Sequence, residues 1–358
     1  MKHVTPSDTK QAEQLTTPQT KKSWASEATT IIPGLAIALG AAALSYGVNF
    51  LWPLVSPMIV AILLGVLLTN VVHLPASLTP GINFASKKLL RAGIILLGLK
   101  LVLSDIAALG APMLLVVLAV VVGGIFGTIF LGRLMKVPSR LTLLIATGFS
   151  ICGAAAVAGA AGVLDPNDEH EEDTVTAVAL VVIFGTLMIP LLPALAALMH
   201  LSPETAGLWA GASVHEIAQV VAIGGILGGS ALTVAVIVKL SRVLLMAPVV
   251  AVYSARQRAS LKNAANEGSP AKLPPFIPPF ILGFLGMVVL RSFVPLPDMV
   301  LSVGGVLQTA LLAAAMFGLG CGVKIRDLRK VGLRPFLLAA SATVLVSVIA
   351  FAGINWLA

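Results

Sequence analysis

Apolar runs long enough to cross a bilayer recur along this chain, parted by short polar stretches. The plain ones are residues 31–49, 54–72, a run entered at Lys87, Lys88 and Arg91 that ends near Ser104, then 112–131, 174–199, 231–253, 276–293, 300–323 and 336–356. A hydrocarbon core of about 30 Å takes roughly 20 apolar helical residues, so each is expected to be a transmembrane helix. Two more stretches, 141–164 and 206–227, are as long but are interrupted by glycines and polar residues. The pattern predicts an all-α polytopic membrane protein of about 9–11 segments, the higher figure if both interrupted stretches cross and the lower if both re-enter as hairpins. Residues 1–30 are polar, carry Lys2, Lys10, Lys21 and Lys22, and read as a cytoplasmic tail. They lack the apolar core of a signal peptide. Residues 31–358 are expected to form one transmembrane domain.

The two interrupted stretches align with each other without gaps. Residues 148–164 (GFSICGAAAVAGAAGVL) set against 211–227 (GASVHEIAQVVAIGGIL) pair Gly148 with Gly211, Ser150 with Ser213 and Gly162 with Gly225. Paired interrupted segments are a sequence pointer to the binding site of a secondary transporter. A second match sets residues 57–115 against 279–337 at a constant offset, pairing Pro75 with Pro297, Gly98 with Gly320, Asp105 with Asp327 and Gly110 with Gly332. An odd number of crossings separates these blocks, so they are expected to be inverted repeats. The interrupted pair is inverted only if both members are hairpins, which favours re-entry. The order of the matched blocks is permuted, the interrupted pair being adjacent while its flanks lie far apart.

Composition agrees with a membrane protein. The chain is 58% hydrophobic and 11% charged, with mean hydropathy +1.02, where a soluble domain carries roughly 25% charged residues. The formal charge of +8 comes mostly from basic clusters between apolar runs: Arg133, Lys136 and Arg140; Arg256, Arg258, Lys262 and Lys272 in a polar linker at 254–275; and Lys324, Arg326, Arg329, Lys330 and Arg334. Basic loops face the cytoplasm, and these recur after every second crossing, which places the N-terminus inside and the C-terminus outside. With few aromatics between them, they do not point to nucleic acid. Cys152 and Cys321 lie within apolar segments and form no disulfide framework or metal spacing, and no cofactor is expected. The run at 165–173 (DPNDEHEED) matches no EF-hand loop and reads as a solvated acidic loop.

Ionisable groups inside a bilayer mark a pathway or binding site by default. Lys239 and Arg242 stand three apart and share a helix face. Counted from Ala231, Arg242 lies about 16 Å into a core of about 30 Å. Arginine's planar fork suits oxyanions, so the pair is a candidate anion site. The alternative is a structural pair neutralised by Glu216 or a buried carbonyl. His215 and Glu216 are candidates for proton coupling, since both residue types can exchange a proton within the membrane. Against that stands a fixed pairing of Glu216 with Lys239 or Arg242, with His215 only packing. Ser150, Ser213 and Gln219 could donate to an oxyanion alongside backbone N–H groups at broken helix ends, or the serines could bond back to their own helices. Lys100, near the end of its run, is expected to snorkel, and Asp105 and Asp327 to cap following segments.

Four stretches carry a family likeness: LLRAGIILLGLKLVLSDI (89–106), GFSICGAAAVAG (148–159), GLWAGASVHEIAQVVA (207–222) and VIVKLSRVLLMAP (236–248). On these the chain resembles the YeiH-type family of sulfate exporters, proteins of the bacterial inner membrane. The resemblance implies export of a small anion of the sulfate, sulfite or sulfonate class, with the lipid bilayer and that anion as partners. It leaves a homo-oligomer open. Two other functions stay in view. A passive anion channel would use the same basic residues. An intramembrane hydrolase would use Ser150 or Cys152 as nucleophile, His215 as base and Glu216 as orienter, although neither GFSIC nor GASVH has the closing glycine of the nucleophile elbow.

Overall fold

In hydrocarbon every backbone N–H and C=O must be satisfied within the protein, and among the described residues the chain is helical throughout, with no strand. The computed structural model describes residues 24–52, 55–72, 74–165, 169–265, 278–323, 326 and 332–357. The helices, in chain order, are α1 (Trp24–Leu51), α2 (Pro57–Val71), α3 (Thr79–Phe84), α4 (Leu90–Leu97), α5 (Leu103–Ala108), α6 (Gly110–Leu134), α7 (Ser139–Ser150), α8 (Ala154–Leu164), α9 (Glu171–Leu198), α10 (Pro203–Ser213), α11 (Ile217–Leu227), α12 (Ala231–Leu244), α13 (Met246–Ala265), α14 (Pro279–Phe293), α15 (Asp298–Gly322) and α16 (Leu333–Leu357). Six helical runs among the described residues are long and apolar enough to cross a membrane, α12 and α13 counting as one of them.

Local chemistry sets several starts. Ser56 precedes Pro57 and its Oγ accepts the Met58 N–H at 3.3 Å. Ser202 does the same for Thr205 at 3.1 Å, again with proline as first helical residue. Each leaves one fewer orphan donor at an apolar helix end.

Several boundaries differ from those read in the sequence. The run entered at Lys87 is a composite: it starts at Ala76, passes through a π-helical turn at Ala85–Leu89 that joins α3 to α4, and ends in a 3-10 turn at Gly98–Lys100. The polar linker expected from 254 begins later, because α13 continues through Ala265. Alanines and long straight side chains there favour helix, and polarity alone does not end one. Helix α1 starts at Trp24, inside the expected tail. Residues 1–23 and 266–277, the rest of that tail and of the linker, lie outside the described residues, as do Asn167 and Asp327.

The repeat is visible in the backbone. At the offset that matches 57–115 to 279–337, α2 coincides with α14, the composite Ala76–Lys100 with α15, and α6 with α16 to within a residue. Gly110 and Gly332, paired by that offset, both take positive φ, 77° and 82°. Glycine is the residue that reaches this conformation without a Cβ penalty.

The interrupted stretches are hairpins. In the first, α7 and α8 are joined by Ile151–Gly153, and the far ends meet where Arg140 Nη1 pairs with Asp165 Oδ1 at 3.1 Å. In the second, α10 and α11 are joined by Val214–Glu216, and Pro203 at its start lies beside Gly229 just past its end. Each limb is 11 or 12 residues, about 16–18 Å, or half a bilayer core. The 28-residue α9 runs from the base of the first hairpin to the base of the second, about 42 Å, so the hairpins enter from opposite ends of the protein. Their tips meet near the middle of α9, where Gly185 packs on the Gln219 side chain.

Candidate functional site

The site is the crossover of the two tips. Breaking a helix leaves unpaired carbonyls at the end of one limb and unpaired N–H groups at the start of the next. The aligned dipoles make the first end negative and the second positive by about half a charge. Here four such ends meet in a buried space, and side chains of opposite sign meet them.

Helix α12 supplies the cations. It packs against both limbs of the second hairpin, with Gly207 and Gly211 of α10 against Ala231 and Ala235, and Gly224 of α11 against Leu232. This close approach points Lys239 and Arg242, both fully buried, at the carbonyl ends of α7 and α10. Lys239 Nζ donates to Ile151 O and Val214 O, each at 2.7 Å. Arg242 donates from Nε to Ser150 O at 3.2 Å, from Nη2 to Phe149 O at 3.0 Å, and from Nη1 to Val214 O at 2.9 Å and Gly211 O at 3.2 Å. Both side chains therefore rest on backbone carbonyls at the tips of the two hairpins. No carboxylate is within ion-pair distance of either cation among the described residues.

Glu216 sits at the positive ends. Its Oε1 accepts the Ala154 N–H at the start of α8, at 3.2 Å. It also closes a capping box on α11, its carboxylate accepting the Gln219 N–H while Gln219 Oε1 accepts the Glu216 N–H at 3.0 Å. One carboxylate therefore caps one helix in each hairpin. The contact depends on Gly153, whose φ of 75° turns the first tip and where a Cβ would collide with the Glu216 side chain.

His215, fully buried, bridges three elements. Its ring packs on Phe149 at 4.4 Å between centroids. Nδ1 lies 3.3 Å from Phe149 O and Nε2 lies 3.1 Å from Thr343 Oγ1 on α16. A carbonyl only accepts, so the neutral ring donates from Nδ1 to Phe149 O, while Nε2 shares Thr343 Oγ1 with Ala339 O, toward which that hydroxyl donates at 2.9 Å. Both nitrogens are thereby occupied, and neither contacts Ser150 or Cys152.

The remaining candidates separate. Ser213 donates to Trp209 O of its own helix at 2.6 Å. Ser150 Oγ, against Gly124 of α6, and Gln219 Nε2, against Gly185 of α9, are buried without a hydrogen-bond partner. Thr343, absent from the sequence-derived set, is the residue that reasoning missed. One threonine in an apolar helix gives no signal until the fold sets it against His215. Thr147 and Tyr253, whose hydroxyls lie 2.9 Å apart, were equally unmarked. Lys100 and Asp105 line a cavity of about 320 Å³ with Thr233, Val236 and Leu240, on the face of α12 turned away from the crossover. The acidic run is tied to the first hairpin's base: Asp165 accepts the N–H groups of Glu169 and His170 at 3.1 and 2.7 Å, and His170 Nδ1 lies 2.7 Å from Arg140 Nη1.

Fold and site together define an all-α, multi-pass membrane protein built around two opposed re-entrant hairpins whose buried helix ends are met by the side chains of Lys239, Arg242 and Glu216. The chain belongs to the family described as conserved hypothetical protein 698, whose model matches residues 31–339. It is 60% identical over 321 residues to a UPF0324 membrane protein of Corynebacterium glutamicum, covering 90% of this chain and 91% of that one. A UPF0324 membrane protein of Bacteroides thetaiotaomicron is 38% identical over 288 residues, 79% and 84% of the two chains. One from Staphylococcus aureus is 32% identical over 303 residues, 85% and 89%. No solved structure matches the chain.

Proposed function

We propose that the protein is a secondary transporter that moves a small oxyanion across the bacterial inner membrane, outward from the cytoplasm, with its substrate site at the hairpin crossover. The observation that carries this reading is the charge balance there. Lys239 and Arg242 contribute two formal positive charges and Glu216 one negative, all buried, while the paired helix ends offset each other. One positive charge is left over. An uncompensated buried charge is strongly unfavourable, and an anion of single charge beside the unpartnered donors of Ser150 and Gln219 would balance it. Hairpins opening to opposite sides also suit alternating access, in which one unit rocks about a central site.

The sulfate, sulfite or sulfonate class is taken from the family likeness of the 89–106, 148–159, 207–222 and 236–248 stretches. His215 and Glu216 are the groups through which proton movement would couple to export. Transport is favoured over intramembrane hydrolysis because His215 spends both ring nitrogens on Phe149 and Thr343, away from either nucleophile. The test is flux of sulfate, sulfite and a short alkylsulfonate from proteoliposomes, with and without an imposed pH gradient. Saturable efflux of one of them is the expected result. Non-saturable leak would favour a channel, and no flux of any anion would remove the proposal. A screen of the same anions for thermal stabilisation identifies the ligand independently, since binding to the folded state raises apparent stability.

A further inference from the structure

In broken-helix transporters, unwound carbonyls and half-helix C-terminal ends are where coupling sodium ions are held. This protein has such a nest, and it is full. Five carbonyl oxygens, those of Phe149, Ser150, Ile151, Gly211 and Val214, converge from the ends of α7 and α10 on two side-chain cations. Lys239 Nζ bridges the two hairpins through Ile151 and Val214 at equal distances of 2.7 Å, the length of a charge-assisted hydrogen bond. An ammonium is a compact point charge, and here it sits on carbonyls from both halves as a bound monovalent cation would.

We propose that this nest is a monovalent-cation site occupied by the chain's own Lys239, so that the counter-charge for the transported anion is tethered to the protein and no sodium ion binds at the crossover. The inference rests on the transporter reading for its meaning but on the carbonyl geometry for its content. The consequence is a defined coupling class. A sodium symporter must bind its ion at each cycle, whereas a fixed ammonium stays with the protein, so anion movement is sodium-independent.

The test uses the purified full-length protein and reads thermal unfolding, so it does not depend on finding the transported anion. Wild type should unfold at the same midpoint in sodium chloride and in choline chloride. Lys239→Ala removes a propylammonium-sized piece and should lower the midpoint by about 5 °C or more. Sodium or n-propylammonium, but not choline, should then raise it saturably, by mass action on the emptied nest. Lys239→Met fills the same space without charge. It should be destabilised and should not respond to propylammonium. Three results would overturn the proposal: saturable sodium stabilisation of wild type, a Lys239→Met protein as stable as wild type, or a folded Lys239→Ala protein indifferent to both cations. If neither variant folds, the wild-type comparison still decides. Failure to find any transported anion would sink the transport reading and leave these outcomes unchanged.

Discussion

The Glu216 carboxylate in the second hairpin accepts the backbone N–H of Ala154 in the first, 3.2 Å away. The two residues come from limbs that enter from opposite ends of the protein. The contact therefore joins the two halves at the point where both helices are broken, and it uses the residue proposed for proton coupling as a structural cap.

That double role shapes the first prediction. Glu216→Gln mimics the protonated carboxyl and keeps an acceptor oxygen for Ala154, so the protein should fold and bind substrate. In proteoliposomes its flux should lose its pH dependence. A wild-type pH profile would pass the coupling role to His215 or leave export uncoupled. Glu216→Ala removes both caps and should destabilise by about 1–3 kcal/mol in thermal or denaturant unfolding.

Arg242→Lys tests the carbonyl clamp. An ammonium cannot reach the α7 carbonyls of Phe149 and Ser150 and the α10 carbonyls of Gly211 and Val214 together, as the planar fork does. Buried acceptors left unserved should lower stability by about 2–4 kcal/mol, read as an earlier unfolding midpoint. Substrate affinity falling with stability intact would instead return Arg242 to direct anion contact.

Hairpin topology can be checked by labelling. Lys136 before the first hairpin and Glu172 after it are both exposed, and Arg140 and Asp165 close the base between them. Cysteines placed at 136 and at 172 should react with an impermeant maleimide from the same side of the membrane. Cys152 and Cys321 are buried and should stay silent. Labelling from opposite sides would mean that residues 141–164 cross.

A pair of glycines separates site geometry from general helix packing. Gly153→Ala puts a Cβ against Glu216 at a positive φ and should lose about 2 kcal/mol or more, with loss of transport. Gly40→Ala meets nothing within 4 Å on α1 and should stay within about 1 kcal/mol of wild type, on the stabilising side.

Much of this architecture was legible in one dimension. Lipid forces a run of about 20 apolar residues into helix, so the apolar runs could be marked along the chain, and six of the nine plain ones are long spanning helices among the described residues. Glycines and polar residues inside such a run mark where the helix must break, and Gly153 and the Val214–Glu216 tip lie where the paired stretches placed them. The helix ends at Tyr253 and at Lys87 were misread because polarity there reflects a change of surroundings, from lipid to water, while the helix runs on. The roles within the site needed the third dimension. Lys239 and Arg242 read equally well as an anion site and as a structural pair, and only the docking of α12 on both limbs shows which acceptors lie within reach of their donors. His215 and Thr343 are far apart in sequence and carry no shared periodicity, so their contact exists only through the packing of α16 on both hairpins. Whether 141–164 crosses or turns back was likewise beyond hydropathy, since half-length limbs are apolar either way. The closing contact between Arg140 and Asp165 decides it, because an ion pair forms only between groups that the fold has already brought together.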